Sequence, residues 1–144
     1  LDESWQHFRA TLLTDVFVRD VPPLQRLQRM LDVQYRHHTE VKGQTGQVFG
    51  CPFGNLACEM STQDEVIRER LQRIFKDIEA LIEGVLEEAM KAGDLPELDT
   101  RATASAMMVY LEGLSVMAKT YNDPGILKQV GPAILKLAVP HSTK

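Results

Sequence analysis

Between Thr62 and Ala92 the chain repeats apolar residues in steps of three and four, at Ile67, Leu71, Ile74, Ile78, Leu81 and Val85, without a proline and with only Gly84 as a breaker. That period belongs to a helix with a buried stripe, and Phe75, Ile82, Leu86 and Ala89 widen the stripe beyond the seam of a two-stranded coil. The helix is therefore expected to pack against several neighbours. Thr62 and Glu65 have capping-box spacing, which places its start at Thr62, and Gly93 and Pro96 end it. At about 1.5 Å per residue this predicts roughly 45 Å of helix. A compact sphere of this many residues is only about 37 Å across, so the domain is expected to be elongated or to let one helix end project.

Every other segment reads as helix or connection. Leu1, Trp5, Phe8, Leu12 and Val16 share one helical face, with a helix expected to run to about Phe17. Pro22 and Pro23 stop it and open a second helix, whose Leu24, Leu27, Leu31 and Tyr35 keep the period to roughly His38. From Thr39 to Phe53 the glycines Gly43, Gly46 and Gly50 and Pro52 predict a connection, with a short helix over Asn55 to Met60. Asp99 caps the next helix, in which Glu112 is the one charged residue between Ala102 and Ala118 and apolar side chains occur on every face. Such a helix is expected to be covered on all sides. Asp123 and Pro124 open a last helix, which Pro132 is expected to kink because it removes a backbone donor and crowds the preceding turn. No segment reads as a strand.

Composition narrows what such a bundle does. The chain has 144 residues, 44% of them hydrophobic, enough for one domain over 1–144 with a real core. Its formal charge of -4 argues against gripping a polyanion over a broad face. Two cysteines are too few for a disulfide scaffold and suit a reducing cytoplasm. The apolar helix near Glu112 is too short and too polar for a membrane span. The first residue is Leu1 rather than Met, so the chain is expected to continue another segment.

The segment Gly50-Cys-Pro-Phe-Gly-Asn-Leu-Ala-Cys-Glu-Met-Ser61, followed by the long helix, resembles the regulatory domain of the tetracycline-repressor (TetR) family. The resemblance extends from the helix at Leu1 to the last helix near Val139. It implies an all-α fold, an elongated bundle of about six helices whose last two form a four-helix dimer interface with a second copy. It also implies a three-helix DNA-binding unit ahead of Leu1, with the Trp5 helix as connector, and a small-molecule effector as the signal. Nothing in the present residues supplies a helix-turn-helix with basic recognition residues.

The dimer is expected independently, because an all-round apolar helix needs cover on both sides, and Ala102, Ala106 and Gly113 are small enough for close approach. Ile126, Leu127, Val130 and Ile134 are the matching positions on the last helix, in an interface on the order of 2,000 Å². The alternative is that these residues fill one subunit's core.

An effector cavity would be lined by Trp5, Phe8, Phe53, Met60, Phe75, Met107 and Tyr110, since aromatics and thioethers make a polarizable wall for a flat or hydrophobic ligand. The competing reading of each is plain core. Glu112, in an apolar setting, must be paired, protonated or wet; it is either a counter-charge for a cationic effector or a structural partner of a basic or hydrogen-bonding group. His37 and His38 end the second helix as capping or pocket hydrogen-bond groups. Cys51, in the glycine-rich loop before a helix, is either a thiol that senses oxidants or electrophiles or a small buried side chain. Cys51, Cys58, His37 and His38 lack the paired spacing of zinc motifs, and no cofactor or metal is expected. No catalytic triad, phosphate loop or Glu-x-x-His pair points to an enzyme. The expected role is thus an effector-binding, homodimerising module, with a thiol sensor and a helical-bundle enzyme as alternatives.

Overall fold

The computed structural model describes residues 1–139 and is helical throughout, with six α-helices in the order the sequence periodicity predicts. They are α1 (Asp2–Thr11), α2 (Pro23–Thr45), α3 (Pro52–Met60), α4 (Glu65–Lys91), α5 (Thr100–Thr120) and α6 (Gly125–Val130). A π-helical turn, Leu12–Val16, follows α1, and a 3-10 segment, Gly131–Ala138, follows α6.

The core forms where α4 lies along α5 and α2. Leu71, Ile74, Ile78, Ile82, Val85, Leu86 and Ala89 of α4 are buried in the predicted three-and-four steps. All but Ala89 meet Leu27, Met30 and Leu31 of α2 and Ala104, Met107, Met108, Leu111 and Leu114 of α5 in one continuous cluster. The α4 helix has 27 residues, or about 40 Å. It begins later than the capping-box reading placed it: Asp64, extended in backbone, accepts from the Ile67 amide at 3.0 Å, so the cap is Asp64 and not Thr62. A carboxylate three residues before its partner amide makes a cap as good as a threonine hydroxyl.

Two further boundaries differ from expectation. Helix α2 continues through Thr39 to Thr45 and stops at Gly46, so the predicted fifteen-residue connection shrinks to a short loop before Pro52. Gly43 sits inside it with open space around its Cα, and a lone glycine weakens a helix by only about 1 kcal/mol. At the end of the chain Pro132 does more than kink: α6 stops at Val130 and the chain tightens into 3-10 geometry. Asp123 still serves the start of this element by accepting from the Gly125 amide at 2.8 Å.

Asn122 staples the loop after α2 to the turn after α5. It is the one non-glycine residue among those described with positive φ, at 50°. Its side chain accepts from the Val48 amide at 2.8 Å and donates to the Gly46 carbonyl at 3.0 Å, while Lys42 Nζ donates to its backbone oxygen at 2.6 Å. Replacing Asn122 with alanine removes both side-chain bonds and leaves a Cβ residue in the left-handed region. The expected loss is about 1.5 kcal/mol by chemical denaturation. Asn122→Gly, which relieves only the backbone, should recover part of it; equal losses in the two variants would contradict this assignment.

The all-round apolar α5 is covered by its own subunit on one side. Ala104, Met107, Met108, Leu111, Leu114, Ser115 and Ala118 are buried, whereas Ala102, Ala106, Val109, Gly113, Val116 and Met117 face outward, with Val109 73% exposed. Among the described residues no helix is long and apolar enough to cross a membrane.

Candidate functional site

A cavity of about 240 Å³ opens among α1, α2, α3, α4 and α5, and the local helical periods explain which residues reach it. Met30, Val33, Gln34, His37 and His38 form one face of α2 at steps of three, one, three and one. Met108, Leu111, Glu112 and Ser115 repeat that face on α5. Helix α1 adds His7, Phe8 and Thr11, the π turn adds Leu12, and α4 adds Ile78. The loop and first turn of α3 close the set with Gly50, Cys51, Pro52 and Phe53.

The α3 entrance is held against α5. Gly50 has φ 71°, a conformation that an L side chain resists, and a Cβ there would lie 3.1 Å from the Ser115 carbonyl oxygen. Cys51 is the N-cap, its Sγ accepting from the Gly54 amide at 3.4 Å, and Pro52 sits in the first turn, where its missing N–H is not needed. Asn55 donates to the Phe49 carbonyl at 2.7 Å and accepts from Lys119 Nζ at 3.0 Å, which ties the loop to the last turn of α5. Phe53, Phe8 and Trp5 then stack into an aromatic cluster with ring centroids 5.7 to 6.1 Å apart, the Phe53 contacts edge-on.

The polar groups are few and their environments are specific. Glu112 is half-buried between Cys51, Gly54 and the cavity, and burial raises its carboxyl above the usual carboxylate range, with the Cys51 thiol opposing that shift in part. Burial, then the adjacent Glu112 charge, pushes the Cys51 thiol up to about 12. His38 is buried and held below the ordinary histidine value by that burial and by His37, whose ring lies 5.5 Å away. The Gln34 Oε1 atom is buried with no hydrogen-bond partner among the described residues. Among those residues no group of three or more His, Cys, Asp or Glu side chains could hold a metal ion.

The sequence-named residues divide by position. Phe8, Phe53, His37, His38, Glu112 and Cys51 stand on the cavity wall, with Trp5 directly behind Phe8 and Phe53. Phe75 lines a second, more open hollow of about 220 Å³ that shares Cys51, Glu112 and Ser115 with the first. Met107 is fully buried in the core, Tyr110 donates its hydroxyl to the Val130 carbonyl at 2.6 Å, and Met60 ends α3; none of the three lines either hollow. The periodicity of α5 made Met107, Tyr110 and Met108 equivalent, and only the neighbours show that Met108 turns to the cavity. His7, Gln34 and Ser115 were missed because a lone polar residue on an amphipathic helix resembles any solvated position. The Cys51 setting also differs from expectation: the loop glycines suggested exposure and thiolate, whereas burial beside a carboxylate keeps the thiol protonated and a poor nucleophile.

On the proposed dimer side, Leu127 is 1% exposed and Ile134 fully buried, so both belong to the subunit core rather than to any outer face. Ala102, Ala106, Gly113 and Val130 are exposed, and Ile126 is half-buried.

Residues 23–134, well over half of the chain, match the family model described as tetracyclin repressor-like, C-terminal domain. A similar curated protein is the uncharacterized HTH-type transcriptional regulator in the lacX 3' region of Lactococcus lactis subsp. lactis, 29% identical over 128 residues. That alignment covers 89% of this chain and 62% of the relative, so the chain spans less than two thirds of the relative's length. No solved structure matches the chain significantly. A helical bundle built on the Gly50–Ser61 segment and the long α4, matched over most of its length, belongs to the tetracycline-repressor family as its C-terminal type of domain.

Proposed function

We propose that this domain senses a small apolar or aromatic effector and pairs with a second copy of itself, so that ligand occupancy changes DNA binding by a helix-turn-helix unit outside these residues. The observation that carries the reading is the cavity itself. Native interiors pack with few voids larger than a water molecule. A hollow of about 240 Å³ walled by Phe8, Phe53, Met30 and Met108, with a few converging polar groups, has the make-up of a ligand site. The name of the Lactococcus relative, an HTH-type transcriptional regulator, supports the DNA-binding partner unit. Dimerisation is supported by the outer face of α5, where Ala102, Ala106, Val109, Gly113 and Val116 recur in steps of four and three, the spacing of a left-handed helix pair. Regulation rather than catalysis is supported by membership of a family of transcriptional regulators.

Thermal unfolding against a panel of small aromatic compounds tests the sensing half. A ligand at about one hundred times its Kd adds about 2.7 kcal/mol, which for a domain of this size raises Tm by about 5 to 10 °C. Val33→Trp, which plugs the cavity from α2, should abolish the rise. Compounds that stabilise the plugged variant as well as the native chain would place the ligand elsewhere and defeat the proposal.

A further inference from the structure

The cavity wall specifies more than apolarity. Among the residues that line it there is one carboxylate, Glu112, and no lysine or arginine. Its three histidines are unequal: His7 and His37 are exposed, whereas His38 is buried and disfavours a proton. An anion entering this space would confront Glu112 without a fixed cation to meet it. The same wall carries Phe8 and Phe53, aromatic rings that attract a cation by their quadrupoles and cover an apolar ring by area.

We propose, resting on the sensing reading above, that the effector is a small aromatic amine: a flat apolar body of one or two fused rings carrying a single protonated nitrogen, which donates to the Glu112 carboxylate. The volume sets the ring count, because about 240 Å³ lies below the usual range of about 300–1,000 Å³ for drug-sized ligands. Occupancy also resolves the Glu112 environment. Burial disfavours its ionised form, and an ammonium bound beside it would supply a charge partner. Cys51 contributes only its thiol hydrogen to the carboxylate and undergoes no chemistry.

Three isosteric probes decide the matter by calorimetry near neutral pH on the intact chain: naphthylmethylamine, naphthylmethanol and naphthoate. The amine is expected to bind at least about tenfold more tightly than the alcohol, as befits a charge-assisted hydrogen bond, and naphthoate most weakly. Glu112→Gln, which keeps shape, should remove the amine's advantage while leaving the alcohol within about twofold. Thermal melting confirms that the variant is folded. Preference for naphthoate, or an amine advantage that survives Glu112→Gln, overturns the amine assignment while the cavity remains a ligand site. No binding of any probe to the folded native chain overturns both this assignment and the sensing reading.

Discussion

Replacing Val109 with glutamate is expected to leave the chain folded and to turn a dimer into a monomer, so that sedimentation equilibrium returns the 16.2 kDa of one chain instead of twice that mass. Val109 is 73% exposed in the single subunit, so the substitution removes no internal contact, and exposed helix positions ordinarily change stability by less than about 0.5 kcal/mol. Across a two-fold axis the consequences differ. In the proposed dimer a residue on the outer face of α5 would meet its own copy or the small residues Ala106 and Gly113 beside it, and the substitution would bring two carboxylates together there. An uncompensated buried charge costs about 3–5 kcal/mol, which weakens self-association by more than about a hundredfold. Circular dichroism should be unchanged. A native chain that is already monomeric at micromolar concentration, or a variant that stays dimeric, would remove α5 as the interface.

The residues show why this face was only half legible in the sequence. Glu112 among Met107, Met108, Val109, Tyr110 and Leu111 announced a helix with apolar side chains all round, and that much needs only the period. Which half its own subunit covers depends on where α4 lies, and no local pattern carries that. The same reasoning sends Leu127 and Ile134 inward and Val130 outward, although all three share the apolar character of the last helix. The long α4 was legible because its stripe persists over many turns, and the Asp99 cap because a single side chain satisfies a single amide, at 2.9 Å from Ala102 N. Gly43 hid the last turns of α2, since a glycine inside a helix and one in a loop look alike without their neighbours. In the cavity, the aromatics Phe8 and Phe53 were named for their chemistry, whereas Gln34 is placed on the wall only by how α2 packs against its neighbours.

Gly54→Ala is expected to destabilise the domain by about 2 kcal/mol, and the sign of its effect should reverse when Glu112 is also replaced by alanine. Gly54 lies in the first turn of α3, against the Glu112 carboxylate. An added Cβ would fall onto Glu112 Oε2, 3.2 Å from its Cδ and 3.5 Å from the Cys51 Cβ. The carboxylate is the end of a side chain and so must move, but its surroundings are the half-buried junction of the two hollows, where Cys51 and Ser115 border both. Displacement therefore forces a charged group into new packing or new desolvation, with overpacking penalties of about 1–3 kcal/mol. In the Glu112→Ala background that obstacle is gone, and alanine in place of glycine favours a helix by up to about 1 kcal/mol. The double-mutant cycle should thus return a coupling of about 2–3 kcal/mol, at the upper end of values for residues in contact. An equal cost of Gly54→Ala in both backgrounds would mean that the glycine serves the backbone of α3 alone. Coupling of the expected sign would instead make the α3 turn a direct reporter of where the Glu112 carboxylate stands, and hence of what occupies the cavity beside it.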